Sequence, residues 1–441
     1  MTAGIISLGC PKNQVDSEVM LGLLKAAGYD IVPPDRARVL IINTCGFITP
    51  AKEEAIEVIM DAVRRKMQGQ IELLVVAGCL AQRYPQQLYD EIPEIDLLLG
   101  TGEIPRLPLW LSRVRQGERV LAVGSPHYDY SQQLPRLLPV PGITAYLKIA
   151  EGCSNRCAYC AIPLIRGPLR SRPRDLLLRE AEQLLAGGVK ELVVVAQDTT
   201  AYGRDLYGRP MLPHLLDQLA GLGFPWVRLM YCYPEGITPQ LVEVLARRPN
   251  ICRYLDIPLQ HASPGLLRAM RRRGDIDEVR QLIAGLRRAL PGLVLRTTFM
   301  VGFPGESEAD FECLLAFMQE IKFERAGFFK YVAEEGTAAA VLPGQVPEQV
   351  KEERYQQCMT LQQQISHQYN QQLVGRDLEV LLEERLARRR GIYRGRTRSD
   401  APEIDGRVYV RAAGKPLRVG DLVTVRIRST TEYDLKGDLL S

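Results

Sequence analysis

The chain has 441 residues, enough for two or three domains, and its 46% hydrophobic content supports sizeable cores. A net charge of +4 is compatible with an RNA or ribosomal partner without demanding one. No apolar run approaches the roughly 18 residues of a membrane span, and Met1-Thr2-Ala3-Gly4 opens a strand rather than a leader, so a cytoplasmic protein with no membrane contact is expected. In such a reducing compartment the ten cysteines are expected as ligands or core residues rather than disulfides.

In the first hundred residues, strand patterns at 4–8, 39–42, 73–77 and 96–99 alternate with helical patterns at 15–27 and 50–66. Short apolar strands between helices predict a parallel sheet covered on both faces. Cys10, Cys45 and Cys79 each follow one of these strands, 35 and then 34 residues apart, which is about one βαβ unit. Parallel strands share a direction, so the three thiols belong to one sheet edge, where open α/β sheets place ligands. A single cysteine there would more often be a small buried hydrophobe; three in the same structural position point to a three-thiol cluster. Residues 113–142 turn rich in Pro, Gln and polar residues and read as a linker.

Six strand–helix units follow, with strands predicted at 146–150, 192–196, 227–230, 254–259, 294–301 and 327–332. Fewer than eight units imply a partial, open barrel whose chemistry lies at the strands' carboxyl ends. Directly after the first strand comes Gly152-Cys153-Ser154-Asn155-Arg156-Cys157-Ala158-Tyr159-Cys160, with three thiols spaced Cys-x3-Cys-x2-Cys. Thiolates bind iron and zinc strongly, and one short loop can wrap three of them around a metal centre. A structural zinc site would usually add a second Cys or His pair at short spacing. No such pair is present, which favours an iron–sulfur cluster with one open iron over a zinc-containing RNA-binding protein. His261 and the other four cysteines carry no ligand spacing and are expected in the core, and the basic run 268–273 is expected as a solvated face. A Gln-rich helix over 347–373 leads to period-two segments at 378–382, 408–410 and 423–427, as in a small β-barrel. Arg385, Arg388, Arg389, Arg390, Arg394, Arg396 and Arg398 cluster there and offer a possible phosphate contact.

The Cys-x3-Cys-x2-Cys loop resembles the signature of radical S-adenosylmethionine enzymes. That resemblance implies a 4Fe-4S cluster on Cys153, Cys157 and Cys160 whose open iron chelates S-adenosylmethionine. It also implies Tyr159 near the adenine, Gln197 and Asp198 near the methionyl amine, and Gly302 and Glu306 in the Gly-rich adenine-side segment 301–306. Three strand-end cysteines, this loop and a terminal barrel similar to the TRAM domain together resemble the methylthiotransferases over essentially the whole chain. The expected fold is therefore α/β. It comprises an N-terminal Rossmann-like parallel sheet (1–112), a linker (113–142), a partial (β/α)6 radical SAM barrel (143–372) and a TRAM β-barrel (373–441).

The resemblance further implies a second 4Fe-4S cluster on Cys10, Cys45 and Cys79. Within this family, Pro11-Lys12-Asn13, Phe47-Ile48 and Asp400-Ala401-Pro402-Glu403 resemble the branch that modifies an aspartate of ribosomal protein uS12; the alternative branch modifies adenosine in tRNA. The expected partners are uS12 or the small ribosomal subunit, a reduced flavodoxin- or ferredoxin-type electron donor, and rRNA through the TRAM barrel. The chain is expected to be a monomer.

Overall fold

The computed structural model describes residues 1–127, 133–138, 142–386, 391–412 and 416–440. Strands β1 (Thr2–Ser7), β2 (Asp30–Ile31), β3 (Val39–Thr44), β4 (Leu73–Gly78), β5 (Leu97–Leu99) and β6 (Val120–Ala122) form a parallel sheet in the order β2-β1-β3-β4-β5-β6. Every residue of β3 and β4 is buried, as a parallel strand covered on both faces requires. Alternate residues divide between the faces. Val39, Ile41 and Val75 meet α1 (Pro11–Ala26), whereas Leu40, Ile42 and Leu74 meet α2 (Thr49–Met67). Helices α3 (Cys79–Arg83), α4 (Pro85–Glu91) and α5 (Leu107–Arg115) complete this layer.

Two strands escape the sequence pattern. β2 has two residues and β6 three, too few to show a period. The structure differs from the expected linker here: residues 113–115 close α5, and Val120–Ala122 pairs with β5 as the sheet's sixth strand. Beyond it, Leu137 N–H donates to Glu18 O at 3.0 Å, and a Cβ on Gly22 would stand 2.4 Å from Pro135 O, so this segment runs tight along α1. Residues 139–141 lie outside the described residues.

The central sheet runs β14-β13-β12-β11-β10-β7, six parallel strands in chain order and open at both edges. They are β7 (Thr144–Lys148), β10 (Glu191–Val195), β11 (Trp226–Leu229), β12 (Ile251–Asp256), β13 (Val294–Val301) and β14 (Arg325–Lys330). A short antiparallel pair, β8 (Ala150–Glu151) and β9 (Arg170–Ser171), brackets the cysteine loop and α6 (Ile162–Arg166). The outer face packs Leu147, Val194, Leu229 and Leu295 under α7 (Arg174–Ala186), α8 (Leu212–Gly221) and α9 (Pro239–Arg247). Helix α10 (Pro264–Ala269) precedes α11 (Ile276–Ala289) and α12 (Glu308–Ile321), which extend that outer layer, and α13 (Glu348–Gln371) leads out of it.

Strands β15 (Asp377–Arg385), β16 (Ile392–Thr397), β17 (Val408–Arg411), β18 (Leu422–Thr430) and β19 (Leu435–Leu439) close into a five-stranded barrel around Val380, Leu382, Val410 and Ile427. This barrel docks on the inner face of the central sheet. Leu381, Ala401 and Leu422 pack with Tyr146, Val193, Trp226 and Tyr254. Glu191, inside that junction, accepts from Arg228 Nε at 2.7 Å and pairs with Arg396, which also donates to Glu383 at 2.7 Å. Arg325–Asp400 (2.8 Å) and Tyr254–Asp405 (2.6 Å) add to it.

This corrects part of the expected basic patch. Arg396 is 2% exposed and serves domain docking, and Arg398 donates to Pro249 O, because two carboxylates and a carbonyl of the junction claim them. Arg385 is exposed and Arg394 pairs with Glu384; Arg388, Arg389 and Arg390 lie outside the described residues.

Candidate iron–sulfur and cofactor site

β1, β3 and β4 are neighbours in the first sheet, so Cys10, Cys45 and Cys79 stand at three adjacent strand ends. Two glycines allow the turns. Gly9 has φ +90°, and a Cβ there would lie 2.8 Å from Cys45 Cβ; Gly78 has φ +94°, and a Cβ would lie 2.3 Å from Asn43 Oδ1. Side-chain amides lock the ends together. Asn13 Nδ2 donates to Leu8 O (3.0 Å) and Thr44 O (2.9 Å), Asn43 Nδ2 donates to Asn13 O (2.8 Å), and Thr44 Oγ1 donates to Ala77 O (2.6 Å). Burial pushes the Cys79 thiol up to about 12 and also raises Cys45. For Cys10 burial acts the same way, but the charges of Lys12 and Arg166 and the N–H groups of Asn13 and Lys12 outweigh it and hold the thiol low.

The second set lies on one loop. Gly152 (φ +71°) approaches so closely that a Cβ would stand 2.1 Å from Pro168 O, and Arg156 takes φ +54° to turn the loop between the first two thiols. Cys153 N–H donates to Gly167 O at 3.1 Å, Cys160 N–H to Cys157 O at 3.1 Å and Ala158 N–H to Met270 O at 3.0 Å. Cys157 Sγ is 3.2 Å from the Tyr233 hydroxyl, and Arg272 lies over the Tyr233 ring at 4.1 Å. Burial pushes Cys153 up to about 11 and Cys160 up to about 12.

Between the two sets runs a buried ionic network. Arg166 of α6 donates Nε to Cys79 Sγ (3.3 Å) and pairs with Asp16 of α1 (3.0 Å) and Glu151 of β8 (2.7 Å). Lys148 of β7 pairs with the same two carboxylates, at 2.6 Å to Glu151. All four side chains are 2–6% exposed. A guanidinium from the central domain thus reaches a thiol of the N-terminal one. A second contact joins the same two domains: Glu334 accepts from Thr49 (3.0 Å), Lys52 (2.8 Å) and Arg83 (2.8 Å).

The other expected contacts divide. Gln197 donates to Glu151 at 3.2 Å, and its buried Oε1 has no partner among the described residues, an acceptor left for a ligand donor such as an amine. Asp198 accepts from Asn155 of the cysteine loop (2.8 Å), from Thr200 (2.6 Å) and from Ala201 N–H (3.2 Å), so it both caps a turn and steadies that loop. Tyr159 packs at the edge of a cluster with Phe303 and Tyr331. Glu306 accepts from Gly302 N–H and faces His261 and Arg354, each at 3.4 Å; the segment 301–306 is closed on itself. His261 is fully buried with Ser263 N–H on its Nδ1.

Arg166, Asp16, Glu151 and Lys148 belong to no motif that the sequence shows, and only the fold brings them together. Residues 268–273 are expected as a solvated face, but Arg272 is 8% exposed and its NH1 stands 4.0 Å from Cys157 Sγ. The charged run hides that single inward position.

Each set supplies three thiols, the donor type and number with which a protein holds three corners of a cubic iron–sulfur cluster. The family described as Uncharacterized protein family UPF0004 matches residues 2–100, the Radical SAM superfamily 147–318 and the TRAM domain 374–440. A protein of Pelotomaculum thermopropionicum named ribosomal protein uS12 methylthiotransferase RimO is 55% identical over 99% of this chain and 98% of its own. Proteins of the same name from Desulforamulus reducens (50%, 99% of each chain) and Geobacter sulfurreducens (46%, 99% of this chain and 98% of its own) agree. The chain belongs to the RimO methylthiotransferase family. Solved structures extend the likeness of fold beyond this family: the radical S-adenosylmethionine methyltransferase TsrM from Kitasatospora setae has TM-score 0.55 at 15% identity, covering 77% of each chain. The radical enzyme OxsB has TM-score 0.56 at 12% identity, covering 82% of this chain and 56% of its own.

Proposed function

We propose that this chain is a radical S-adenosylmethionine enzyme that methylthiolates the β-carbon of an aspartate in ribosomal protein uS12. The observation that carries the reading is near-full-length identity to uS12 methylthiotransferases in a chain that keeps six thiols in two sets of three. An unactivated C–H bond beside a carboxylate yields to no side-chain base, because acid–base catalysis contributes only about 10²–10⁴-fold. When bound, a 4Fe-4S cluster on Cys153, Cys157 and Cys160 with S-adenosylmethionine supplies the 5′-deoxyadenosyl radical, and a second on Cys10, Cys45 and Cys79 supplies an open iron for the incoming sulfur.

The chain's own groups do the rest. Gln197 Oε1 accepts from the methionyl amine, while Asp198 holds Asn155 and with it the cysteine loop. Tyr159 with Phe303 and Tyr331 walls the adenine side; Gly302 and Glu306 shape that wall through their own hydrogen bond. Arg166 places a donor against Cys79 Sγ, and the Tyr233 hydroxyl and the Arg272 guanidinium stand beside Cys157 Sγ. The Asp16–Lys148–Glu151–Arg166 network fixes the strand-end set relative to the loop set, so both address one substrate side chain.

Electrons come from a reduced flavodoxin- or ferredoxin-type protein, and the enzyme works as a cytoplasmic monomer; no helix among the described residues is long and apolar enough to cross a membrane. The exposed Arg385 and the half-buried Arg394 of the barrel meet rRNA beside uS12. Mass spectrometry of uS12 and of tRNA from cells with and without the gene tests the substrate. A methylthio increment on uS12 that vanishes with the gene is expected; an increment only on tRNA adenosine would contradict it.

A further inference from the structure

One buried charge at the junction of the two thiol sets is left over. Lys12, second residue of α1, is 8% exposed, and no carboxylate among the described residues pairs with it. Its Nζ lies 3.7 Å from the centroid of the Tyr231 ring, with Cys10 as the neighbouring acidic group. Asp16, one helical turn on and on the same face of α1, is taken by Lys148 and Arg166. Glu151 holds the same two cations, and Asp256 holds Arg296 and the Tyr231 N–H. The nearby carboxylates are therefore committed elsewhere, and this buried ammonium faces the Tyr231 side chain and the Cys10 thiol but no carboxylate among the described residues.

Its place is fixed from both sides. Tyr231 ends the third strand of the central sheet in a left-handed conformation (φ +58°), its carbonyl accepting Thr199 N–H at 3.0 Å and its N–H donating to Asp256 at 3.1 Å. That clamp sets the ring on which the Lys12 stem and head rest. Lys12 therefore projects from the Cys10 strand end toward the central sheet's carboxyl edge, between the two thiol sets.

We infer that Lys12 is a substrate-binding residue that receives the carboxylate of the target aspartate. The inference rests on the uS12 reading and deepens it. A carboxylate held there leaves the adjacent β-carbon one bond away, between the two sets, and a side chain of the same shape without the charge is refused.

The test is a binding measurement. The full-length chain, loaded with iron and sulfide under argon, is titrated with labelled uS12 carrying either the target aspartate or Asn in its place, free and within small ribosomal subunits. The wild-type chain is expected to bind the Asp form about ten- to a hundredfold tighter than the Asn form, the range of a charge-assisted hydrogen bond. Lys12→Met is expected to bind both forms alike, and Lys12→Arg to restore most of the preference. Because the ratio is read within each variant, incomplete folding or loading does not alter it. A Lys12→Met chain that keeps the wild-type ratio overturns the inference, including the case in which it loses iron because Lys12 only balances the thiolates. A wild-type chain that methylthiolates uS12 without preferring the Asp form overturns this inference alone. One that leaves uS12 unmodified overturns the reading beneath it.

Discussion

The two thiol sets are built in opposite ways. Cys153, Cys157 and Cys160 occupy one loop of eight residues, shaped by its own turns at Gly152 and Arg156. Cys10, Cys45 and Cys79 come together only when β1, β3 and β4 pair, and their surroundings are completed by Arg166 from another domain. The first set depends on local backbone conformation, and the second on tertiary structure and a buried ionic network. Damage to the junction should therefore strike the N-terminal set and spare the central one.

The largest contrast is chemical. Cys153→Ala is expected to reduce 5′-deoxyadenosine formation to background, measured by liquid chromatography under argon. Cys79→Ala is expected to keep that cleavage and lose methylthiolated product; a Cys79→Ala chain with full product would break the division of labour.

Next is Arg166→Met. It removes one of the two cations that pair with Asp16 and Glu151, a change expected to cost about 3–5 kcal/mol as for other broken buried pairs. Iron should fall from about eight to about four atoms per chain, with loss from the N-terminal set. Denaturant unfolding and iron assay check both, and an unchanged iron count would contradict the role given to Arg166.

A smaller effect is expected of Glu334→Gln, which weakens the acceptor shared by Thr49, Lys52 and Arg83; about 1–3 kcal/mol should be lost while the barrel docking stays intact. Thermal unfolding of the two variants would rank this contact below the Arg166 network.

The mildest probe is acid, directed at the other interface. Burial pushes Glu191 up, but Arg396 and Arg228 outweigh it and hold its carboxyl at about 2. A depressed carboxylate contributes stability that is complete above the unfolded value near 4.5 and is lost as pH falls through about 2. Urea midpoints should decline over that window in the native chain, and Glu191→Gln should flatten the decline.

The same contrast explains what could be read from the chain. The central loop carries its meaning in its spacing, and strands such as β3 stand out as continuous apolar runs between helical patterns, so the α/β class and the open six-stranded sheet are legible. The strand-end cysteines were legible only because each closes one βα unit. Arg166, Asp16 and Lys148 were not, since an ion pair between residues 150 apart leaves no local pattern, and its members look like surface charge. Arg272 and Arg396 were hidden the same way inside basic runs. β2 and β6 are too short to carry a period. For Gly302 and Glu306 the resemblance pointed to a ligand, whereas the structure first binds them to each other.

The central claim is that the chain holds two separate three-thiol cages. Iron and sulfide counting with electron paramagnetic resonance on a chain carrying Cys153→Ala, Cys157→Ala and Cys160→Ala tests it most directly. The account predicts about four irons and one reducible 4Fe-4S signal remaining on Cys10, Cys45 and Cys79. Loss of all iron, or retention of both signals, would contradict it.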